Sequence, residues 1–307
     1  MSMALAVPPL PQRSGSYLWL YTDAVVGDVT AVCIFLIGSV FSPRYAAGAG
    51  DGALPVEHCA VNVALYRRGR RLAWAFTEYA GVAHATPEGV AIGASTLRYA
   101  RDGTLVVTIR ERTAPWGRPL DARLELTQAS TLAAALPLDA QRLHYWEPRI
   151  VRGTAWLEVP SLGIEGTGLG YHDANRGSAA LGDGVPGWWW TRVHAADASL
   201  VRYGVHGAAT VIELAAHDGR EPSVVHVPSV ARRHRRSGWG LALPTDIGAG
   251  DVAVPARRVL ESSPFYARQE THGGGLHALG ESADFRRFRS PLIRWMAYFR
   301  MRTERAA

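Results

Sequence analysis

The chain has 307 residues, of which 48% are hydrophobic and 20% are charged, so it can form one large or two ordinary folded domains. Its formal net charge is +6, and all 33 basic residues are arginine. The densest basic run, 232–236, lacks the interleaved aromatic residues that stack on single-stranded nucleic acid. We therefore expect a solvated or membrane-facing loop there, and no nucleic-acid partner.

No leader or membrane-spanning segment is expected. The longest apolar run, 29–41, is broken by Gly38 and Ser39 and is too short to cross a bilayer. The first fifteen residues contain no continuous apolar stretch of the kind found in signal peptides. Cys33 and Cys59 lie in apolar runs without disulfide or ligand spacing, which predicts reduced core residues of a cytoplasmic protein.

Short runs of β-branched and aromatic residues, separated by Gly, Pro, Asp and Asn, predict strands along most of the chain. In chain order they are 31–40, 59–66, 72–78, 105–112, 121–127, 155–159, 188–194, 201–206 and 209–215. Helical periodicity is weak, and no long crossover helices are available to connect parallel strands. We therefore predict an all-β fold of antiparallel barrels or sandwiches with few short helices.

A polar connection at 137–148 suggests a division of these strands into two groups. The predicted boundary falls at residue 150, giving an N-terminal β domain at 17–150 and a C-terminal β domain at 151–307. Residues 1–16 and 303–307 are expected to be disordered, as chain termini often are.

The most concentrated chemistry is the segment Tyr171-His172-Asp173-Ala174-Asn175, followed by Trp188-Trp189-Trp190. A carboxyl group buried among aromatic rings stays protonated, and the ring faces can stabilise a cation. If the segment is extended, Tyr171 and Asp173 share one face and His172 points to the other. The alternative is an Asx turn with a solvated carboxylate. In a strand, two of the three tryptophans share a face and the third faces away.

Metal and nucleotide cofactors are not expected. The histidines and cysteines lack the spacing of metal ligands, and no glycine pattern of a phosphate-binding loop is present. The segment 272–277 begins His-Gly-Gly-Gly, like an esterase oxyanion loop, but the chain has no Gly-x-Ser-x-Gly nucleophile elbow.

The segment 171–175 resembles the Tyr-x-Asp-x-Asn core of the carotenoid 1,2-hydratases, also called hydroxyneurosporene synthases. Blocks at 17–45, 58–66 and 263–268 resemble other blocks of that family, in the same order. The resemblance implies two lipocalin-like β-barrel halves. It also implies a cofactor-independent hydro-lyase that adds water to the terminal double bond of an acyclic carotenoid or isoprenoid, giving a tertiary alcohol. For such a membrane-dissolved substrate, peripheral contact with the inner membrane surface would be useful.

The chain departs from the family pattern after Asn175. Family members usually continue with an aromatic or small residue, glycine and then acidic residues, whereas this chain has Arg176-Gly177-Ser178-Ala179-Ala180-Leu181. Two other functions therefore stay open. One is a pericyclase or isomerase of the same two-barrel family acting on another polyene. The other is a non-catalytic carrier of an apolar ligand, since barrels often hold one lipophilic molecule.

The resemblance and the residue chemistry together give a set of candidate site residues. Asp173 is predicted to be the acid, Tyr171 to hydrogen-bond it or the water, and His58 to orient either of them. The alternative for His58 is a strand histidine bonded to backbone. The predicted substrate-binding residues are Tyr21, Tyr66, Asn175, Trp188, Trp190 and Trp295.

Overall fold

The computed structural model describes residues 5–48, 51–80, 83–132, 134–218, 220–230 and 232–304. The strands are β1 (Tyr17–Val26), β2 (Val29–Ile37), β3 (Cys59–Arg67), β4 (Arg70–Tyr79), β5 (Ala83–Thr86), β6 (Gly89–Ile92), β7 (Ser95–Tyr99), β8 (Leu105–Arg112), β9 (Pro119–Thr131), β10 (Leu136–Pro137), β11 (His144–Val159), β12 (Ile164–Gly177), β13 (Gly187–His194), β14 (Ala198–Val205), β15 (Thr210–His217), β16 (Ser223–Pro228), β17 (His234–Arg236), β18 (Ala242–Pro244), β19 (Arg258–Ser262), β20 (Tyr266–Gly273), β21 (Leu276–Asp284) and β22 (Arg302–Glu304). The helices are α1 (Pro43–Gly48), α2 (Phe285–Phe288) and α3 (Pro291–Tyr298), with 3₁₀ turns at Pro55–Glu57 and Pro160–Leu162.

These strands form two large sheets. The first has the order β22-β4-β3-β2-β1-β12-β11-β9-β8-β7-β6-β5, with β10 attached to β11. The second has the order β16-β15-β14-β13-β21-β20-β19, and β17 and β18 form a separate pair. Within the described residues, only β22 and β4 pair in parallel. The predicted all-β, antiparallel class is confirmed.

Strands β1 and β2 are mostly apolar, and both of their faces are buried. Leu18 and Leu20 point into a core formed by strands of the first sheet alone. Trp19 and Tyr21, which alternate with them, point into a second core that also receives Trp190 from the second sheet. The first sheet is therefore the wall between two cores, and the second core joins the sheets.

The segment 171–175 lies in the middle of β12, so the extended interpretation is confirmed and the Asx turn is wrong. β12 pairs with β1 so that Asp173 lies opposite Tyr21. Tyr171 consequently points into the core between the sheets, as Asp173 does. His172 points to the other face, where its Nδ1 lies 2.7 Å from the Tyr21 carbonyl oxygen and its Nε2 lies 2.7 Å from the Tyr99 hydroxyl.

The predicted boundary at residue 150 falls inside β11, which pairs with β12 on both sides of that position. The passage between the two sheets occurs instead at 178–186, between β12 and β13. The polar connection at 137–148 was misleading because it contains β10 and the start of β11.

The expected disorder of the termini is corrected for the residues that are described. Val7 is buried against the first core, and its N–H donates to the Pro87 carbonyl. At the other end, 302–304 form β22. Residues 1–4 and 305–307 lie outside the described residues. In the part of the chain that is described, no helix combines the length and apolarity needed to cross a bilayer.

Candidate active site

The carboxyl group of Asp173 accepts three hydrogen bonds from neutral donors. The Tyr171 hydroxyl and the Trp146 Nε1 donate to Oδ2 at 2.7 and 2.8 Å, and the Asn175 Nδ2 donates to Oδ1 at 3.0 Å. Tyr171 and Asn175 lie two residues before and after Asp173 on β12, and Trp146 comes from the neighbouring β11. Three side chains on two paired strands thus fix the position of the acid.

The environment of Asp173 favours its protonated form. Burial raises the pKa of this carboxyl to about 7, against the opposing effect of the Tyr171 and Trp146 hydrogen bonds. Nearby Glu281 and Asp23 raise the pKa further, because a second negative charge at short range is unfavourable. Asp173 can therefore hold a proton near neutral pH and release it within the site.

Aromatic rings surround this carboxyl group in a small cavity between the two sheets. Tyr21 and Tyr171 contact Trp190 at ring-centroid distances of 5.4 and 5.2 Å, and Trp188 contacts Tyr203 at 5.9 Å. The small cavity has a volume of about 20 Å³ and is lined by Trp19, Tyr21, Asp173, Asn175, Trp188, Trp190, Tyr203 and Glu281. Six of the nine predicted site residues are therefore brought together around Asp173: Tyr21, Tyr171, Asp173, Asn175, Trp188 and Trp190.

The predicted alternation of the three tryptophans agrees with their positions. Trp188 and Trp190 face the small cavity, whereas Trp189 points the opposite way. The guanidinium of Arg232 lies over the Trp189 ring, 3.6 Å from its centroid.

His58 does not reach Asp173. Along the first sheet Asp173 is level with Tyr21, Ile34 and Asn62, so the β3 residue at that height is Asn62, and His58 lies beyond the start of the strand. The Nδ1 of His58 is instead 3.4 Å from a carboxylate oxygen of Glu78.

Two other predicted residues also lie elsewhere. Trp295 is on α3, is 57% exposed and contacts Phe299. The Tyr66 hydroxyl donates to Glu261 at 3.2 Å and accepts from Arg268 at 3.2 Å, so it is linked to the site only through Arg268.

Three lining or bonding residues were missed by sequence reasoning: Trp146, Tyr203 and Glu281. The aromatic ones carry no local signal, because aromatic residues in strands most often fill cores. Glu281 lies in β21, a segment rich in Ala and Gly and without β-branched residues, so no strand was predicted there. Its burial beside Arg268, at 2.8 Å from Oε1 to Nε, could not be read from the sequence.

A larger apolar cavity of about 400 Å³ adjoins the small one. Ile34 and Leu36 line the large cavity, and their partners across the β1–β2 ladder, Tyr21 and Trp19, line the small one. Tyr266 of the large cavity contacts Trp188 of the small cavity, with ring centroids 6.5 Å apart. One layer of side chains therefore separates the two spaces.

Among the described residues, no group of three or more His, Cys, Asp or Glu side chains is placed to hold a metal ion. Two carboxyl groups, those of Asp173 and Glu281, line the small cavity.

Comparison with known proteins shows which family the chain belongs to. The family model of the carotenoid hydratase CrtC matches residues 33–307. The acyclic carotenoid 1,2-hydratase of Thiocapsa roseopersicina is 35% identical, covering 94% of this chain and 73% of that protein. The acyclic carotenoid 1,2-hydratase of Rubrivivax gelatinosus is 31% identical, covering 86% of this chain and 66% of that protein.

Solved structures support the fold. A protein described as AttH from Nitrosomonas europaea superposes with a TM-score of 0.61 at 13% identity, covering 92% of this chain and 96% of that one. CghA bound to Sch210972 superposes with a TM-score of 0.54 at 11% identity, again over 92% of this chain and 96% of the other. The predicted lipocalin-like class is confirmed.

The fold is all-β, and the relatives and the family model make the chain an enzyme of the hydro-lyase class. The family match over most of the chain makes the assignment specific: the chain belongs to the carotenoid hydratase family, as its sequence motifs indicated.

Proposed function

We propose that the protein hydrates the terminal trisubstituted double bond of an acyclic carotenoid or a related isoprenoid and gives a tertiary alcohol. The observation that supports this most is the buried carboxyl of Asp173, with a pKa of about 7 and only neutral hydrogen-bond donors. An alkene is a very weak base with no polar group to bind, so its protonation needs an acid held against the π bond in dry surroundings.

In the proposed reaction Asp173 delivers its proton from Oδ1. Oδ2 already accepts hydrogen bonds from Tyr171 and Trp146, whereas Oδ1 accepts one, from Asn175. Transfer of the proton to the less substituted alkene carbon leaves a tertiary cation. Tyr171 and Trp146 then stabilise the carboxylate that remains, because hydrogen bonds to an ionised acceptor are stronger than those to a neutral one.

The small cavity suits the water that captures the cation, and its aromatic walls can stabilise the cation beside it. A desolvated aromatic ring can contribute about 2 kcal/mol to the stability of a nearby cation, and both Trp188 and Trp190 line this space. A volume of about 20 Å³ is sufficient for one water molecule. The Oδ1 of Asn175 and the Nε1 of Trp188 have no hydrogen-bond partner among the described residues, so they can accept from and donate to that water.

The large cavity is the proposed site for the polyene chain. Its lining includes Phe41, Phe76 and Phe265, and it lies one side-chain layer from Asp173. A substrate that leaves a lipid phase gains little hydrophobic energy on binding, since lipid tails are as apolar as the cavity wall. Selection therefore depends on the shape of this cavity. The reaction itself needs only a proton donor, a proton acceptor and water, so we propose that it uses no cofactor.

We also propose that the protein works in the cytoplasm and contacts the membrane surface at α3. This helix lines the large cavity on one side with Ile293, Met296 and Ala297. Its other side exposes apolar side chains to solvent: Leu292, Trp295, Tyr298 and Phe299 just beyond its end. Residues 286–300 contain five arginines and no acidic residue, which suits a surface of anionic lipids.

The direct test is to incubate the purified protein with lycopene or neurosporene in detergent and to read the product mass. The expected product gains the mass of one water. A product of the same mass as the substrate would show that the protein catalyses a rearrangement and not a hydration. Recovery of unchanged bound polyene would indicate a carrier.

The same assay tests whether Asp173 is the proton donor. We expect Asp173→Asn to abolish the mass gain while circular dichroism and thermal unfolding stay as in wild type. The matched control is Glu111→Gln, which makes the same change in a buried carboxyl that is likewise bonded by neutral donors, Tyr79 and Ser95, in the first core. This control should hydrate at the wild-type rate. A well-folded Asp173→Asn protein with substantial turnover would remove Asp173 from the acid role.

A further inference from the structure

Glu281 is a second buried carboxyl group in the small cavity. It comes from β21 of the second sheet, whereas Asp173 comes from β12 of the first sheet, so the two acids line the same space from opposite sides. Glu281 is 6% exposed and Asp173 is 3% exposed. The reaction proposed above accounts for Asp173 and leaves Glu281 without a role.

The two acids differ in their hydrogen-bond partners. Oε1 of Glu281 accepts a hydrogen bond from the Nε of Arg268 at 2.8 Å, and Arg268 is fully buried directly across the β20–β21 ladder. The donors to Asp173 are neutral. A buried guanidinium is always charged and needs an anionic partner.

This difference determines which acid carries the negative charge. Two carboxyl groups in one desolvated site do not both ionise, because each charge disfavours the other. Burial raises the pKa of Glu281 as it does that of Asp173, but Arg268 opposes the rise at Glu281. The resting site therefore holds a proton on Asp173 and a negative charge on Glu281.

We infer that Glu281 is the base that accepts a proton from the attacking water. The inference rests on the proposed hydration. Asp173 loses its proton as the new C–H bond forms, and the water oxygen bonds to the tertiary carbon. One water proton passes to the Glu281 carboxylate, which leaves a neutral alcohol. Return of that proton to Asp173 restores the starting state, so atoms and charge balance without a further reactant.

Glu281 could also serve only to balance the charge of Arg268, and Glu261 allows the two roles to be separated. Oε2 of Glu261 lies 3.1 Å from Nη1 of the same arginine. Glu261 lines the large cavity and not the small one. Glu261→Gln therefore removes a carboxylate from Arg268 and leaves the proposed base in place.

The experiment follows hydration and hydrogen exchange together, in D₂O, with lycopene as the probe. Without its base, Glu281→Gln should still form the cation, which then returns a proton to Asp173 and regenerates the alkene. We expect hydration to fall by about a hundredfold or more. The recovered lycopene should carry deuterium at the less substituted carbon of its terminal double bond. Because Glu261 lines the large cavity proposed for the polyene, Glu261→Gln is compared with wild type by the ratio of exchange to hydration, which should stay at the wild-type value. Asp173→Asn should neither hydrate nor exchange.

Chemical rescue provides a second measurement that does not depend on one variant. Glu281→Ala should regain hydration when formate is added, because formate can occupy the space left by the side chain and act as the base. Two outcomes would overturn the inference. The first is hydration by Glu281→Gln at the wild-type rate. The second is that folded Glu281→Gln and Glu281→Ala lose exchange and hydration equally and formate rescues neither activity. Failure of the wild-type protein to hydrate lycopene would instead contradict the proposed function.

Discussion

Asp173 and Asp23 are both buried carboxyl groups of the first sheet, and their partners separate their roles. Asp23 is 0% exposed and pairs with the equally buried guanidinium of Arg192 from the second sheet. That pair ties the two sheets together, and breaking it would leave an uncompensated buried charge. Asp173 is bonded by a phenol, an indole and an amide. A carboxyl with neutral partners can change its protonation state during a reaction without leaving a buried cation unpaired.

The pH dependence of hydration should reflect Asp173. The reaction needs the protonated acid, so the rate should fall tenfold per pH unit above the pKa of about 7. The Tyr171 hydrogen bond lowers the pKa of Asp173. Tyr171→Phe should therefore move the alkaline limb of the kcat profile to higher pH. It should also lower the maximal rate by roughly tenfold to a hundredfold, since the carboxylate left after proton transfer loses a donor.

Tyr17→Phe is the matched control for this prediction. The Tyr17 hydroxyl is buried and lies 2.9 Å from the Nδ1 of His144, so the substitution also removes a buried phenol hydrogen bond, away from Asp173. Its pH profile should coincide with that of wild type. An unmoved alkaline limb in Tyr171→Phe would show that another group controls the profile.

At the residue scale, the sequence predicted what is local to one strand. Two-residue spacing was enough to put Tyr171 and Asp173 on one face. His58 was wrongly placed near Asp173 because pairing register across β3, β2, β1 and β12 cannot be read from residue types. Trp146 and Glu281 were missed for the same reason, as both reach the site from other strands.

Strand β13 shows how alternation assigns different roles to neighbouring residues. Trp188 and Trp190 face the acid, and Trp189 lies under the guanidinium of Arg232 on the outer face. All three are buried, so exposure alone does not distinguish them. The direction in which each side chain points distinguishes their roles.

We expect Trp190→Leu to lower the hydration rate by roughly thirtyfold, which corresponds to the loss of about 2 kcal/mol of cation stabilisation. The substitution keeps an apolar side chain, so kcat should fall more than KM rises. Trp189→Leu on the same strand should leave kcat near the wild-type value, although it loses the contact with Arg232. Equal kcat values for the two variants would show that the ring of Trp190 does not act on the cation.

At the element scale, the strands that were predicted and those that were missed differ in composition. β8 was predicted from its alternation, Leu105-Val106-Val107-Thr108, because one of its faces is buried and the other is not. β1 has both faces buried and so lacks alternation. β12 begins with glycines at every second position from Gly166 to Gly170, a pattern that suggests turns. Two of the strands nearest to the site, β1 and the first part of β12, were therefore hard to predict, whereas β13 was predicted.

For the whole molecule, the proposed function together with the arrangement of the cavities predicts an orientation for substrate entry. The acid lies between the sheets, the large cavity lies beside it, and α3 forms part of the outer wall of that cavity. The exposed face of α3 carries Trp295 and Phe299, whose rings contact each other at 4.8 Å. An apolar surface flanked by arginines at the wall of an apolar cavity is the arrangement expected where a polyene passes from a bilayer into a protein.

The double variant Trp295→Ser/Phe299→Ser should bind vesicles of phosphatidylcholine and phosphatidylglycerol at least tenfold more weakly than wild type, because each ring removed takes away apolar area that the interface would bury. Wild-type binding should weaken as salt is added, since anionic lipids attract the arginines of 286–300. The control is Val230→Ser, which removes an apolar side chain that is 78% exposed and lies beyond β16. It should bind vesicles as wild type does.

With lycopene supplied in vesicles the double variant should hydrate more slowly than wild type, and with lycopene in detergent it should match wild type. Unchanged vesicle binding by the double variant would exclude α3 as the membrane contact and would leave Asp173 and the small cavity unaffected.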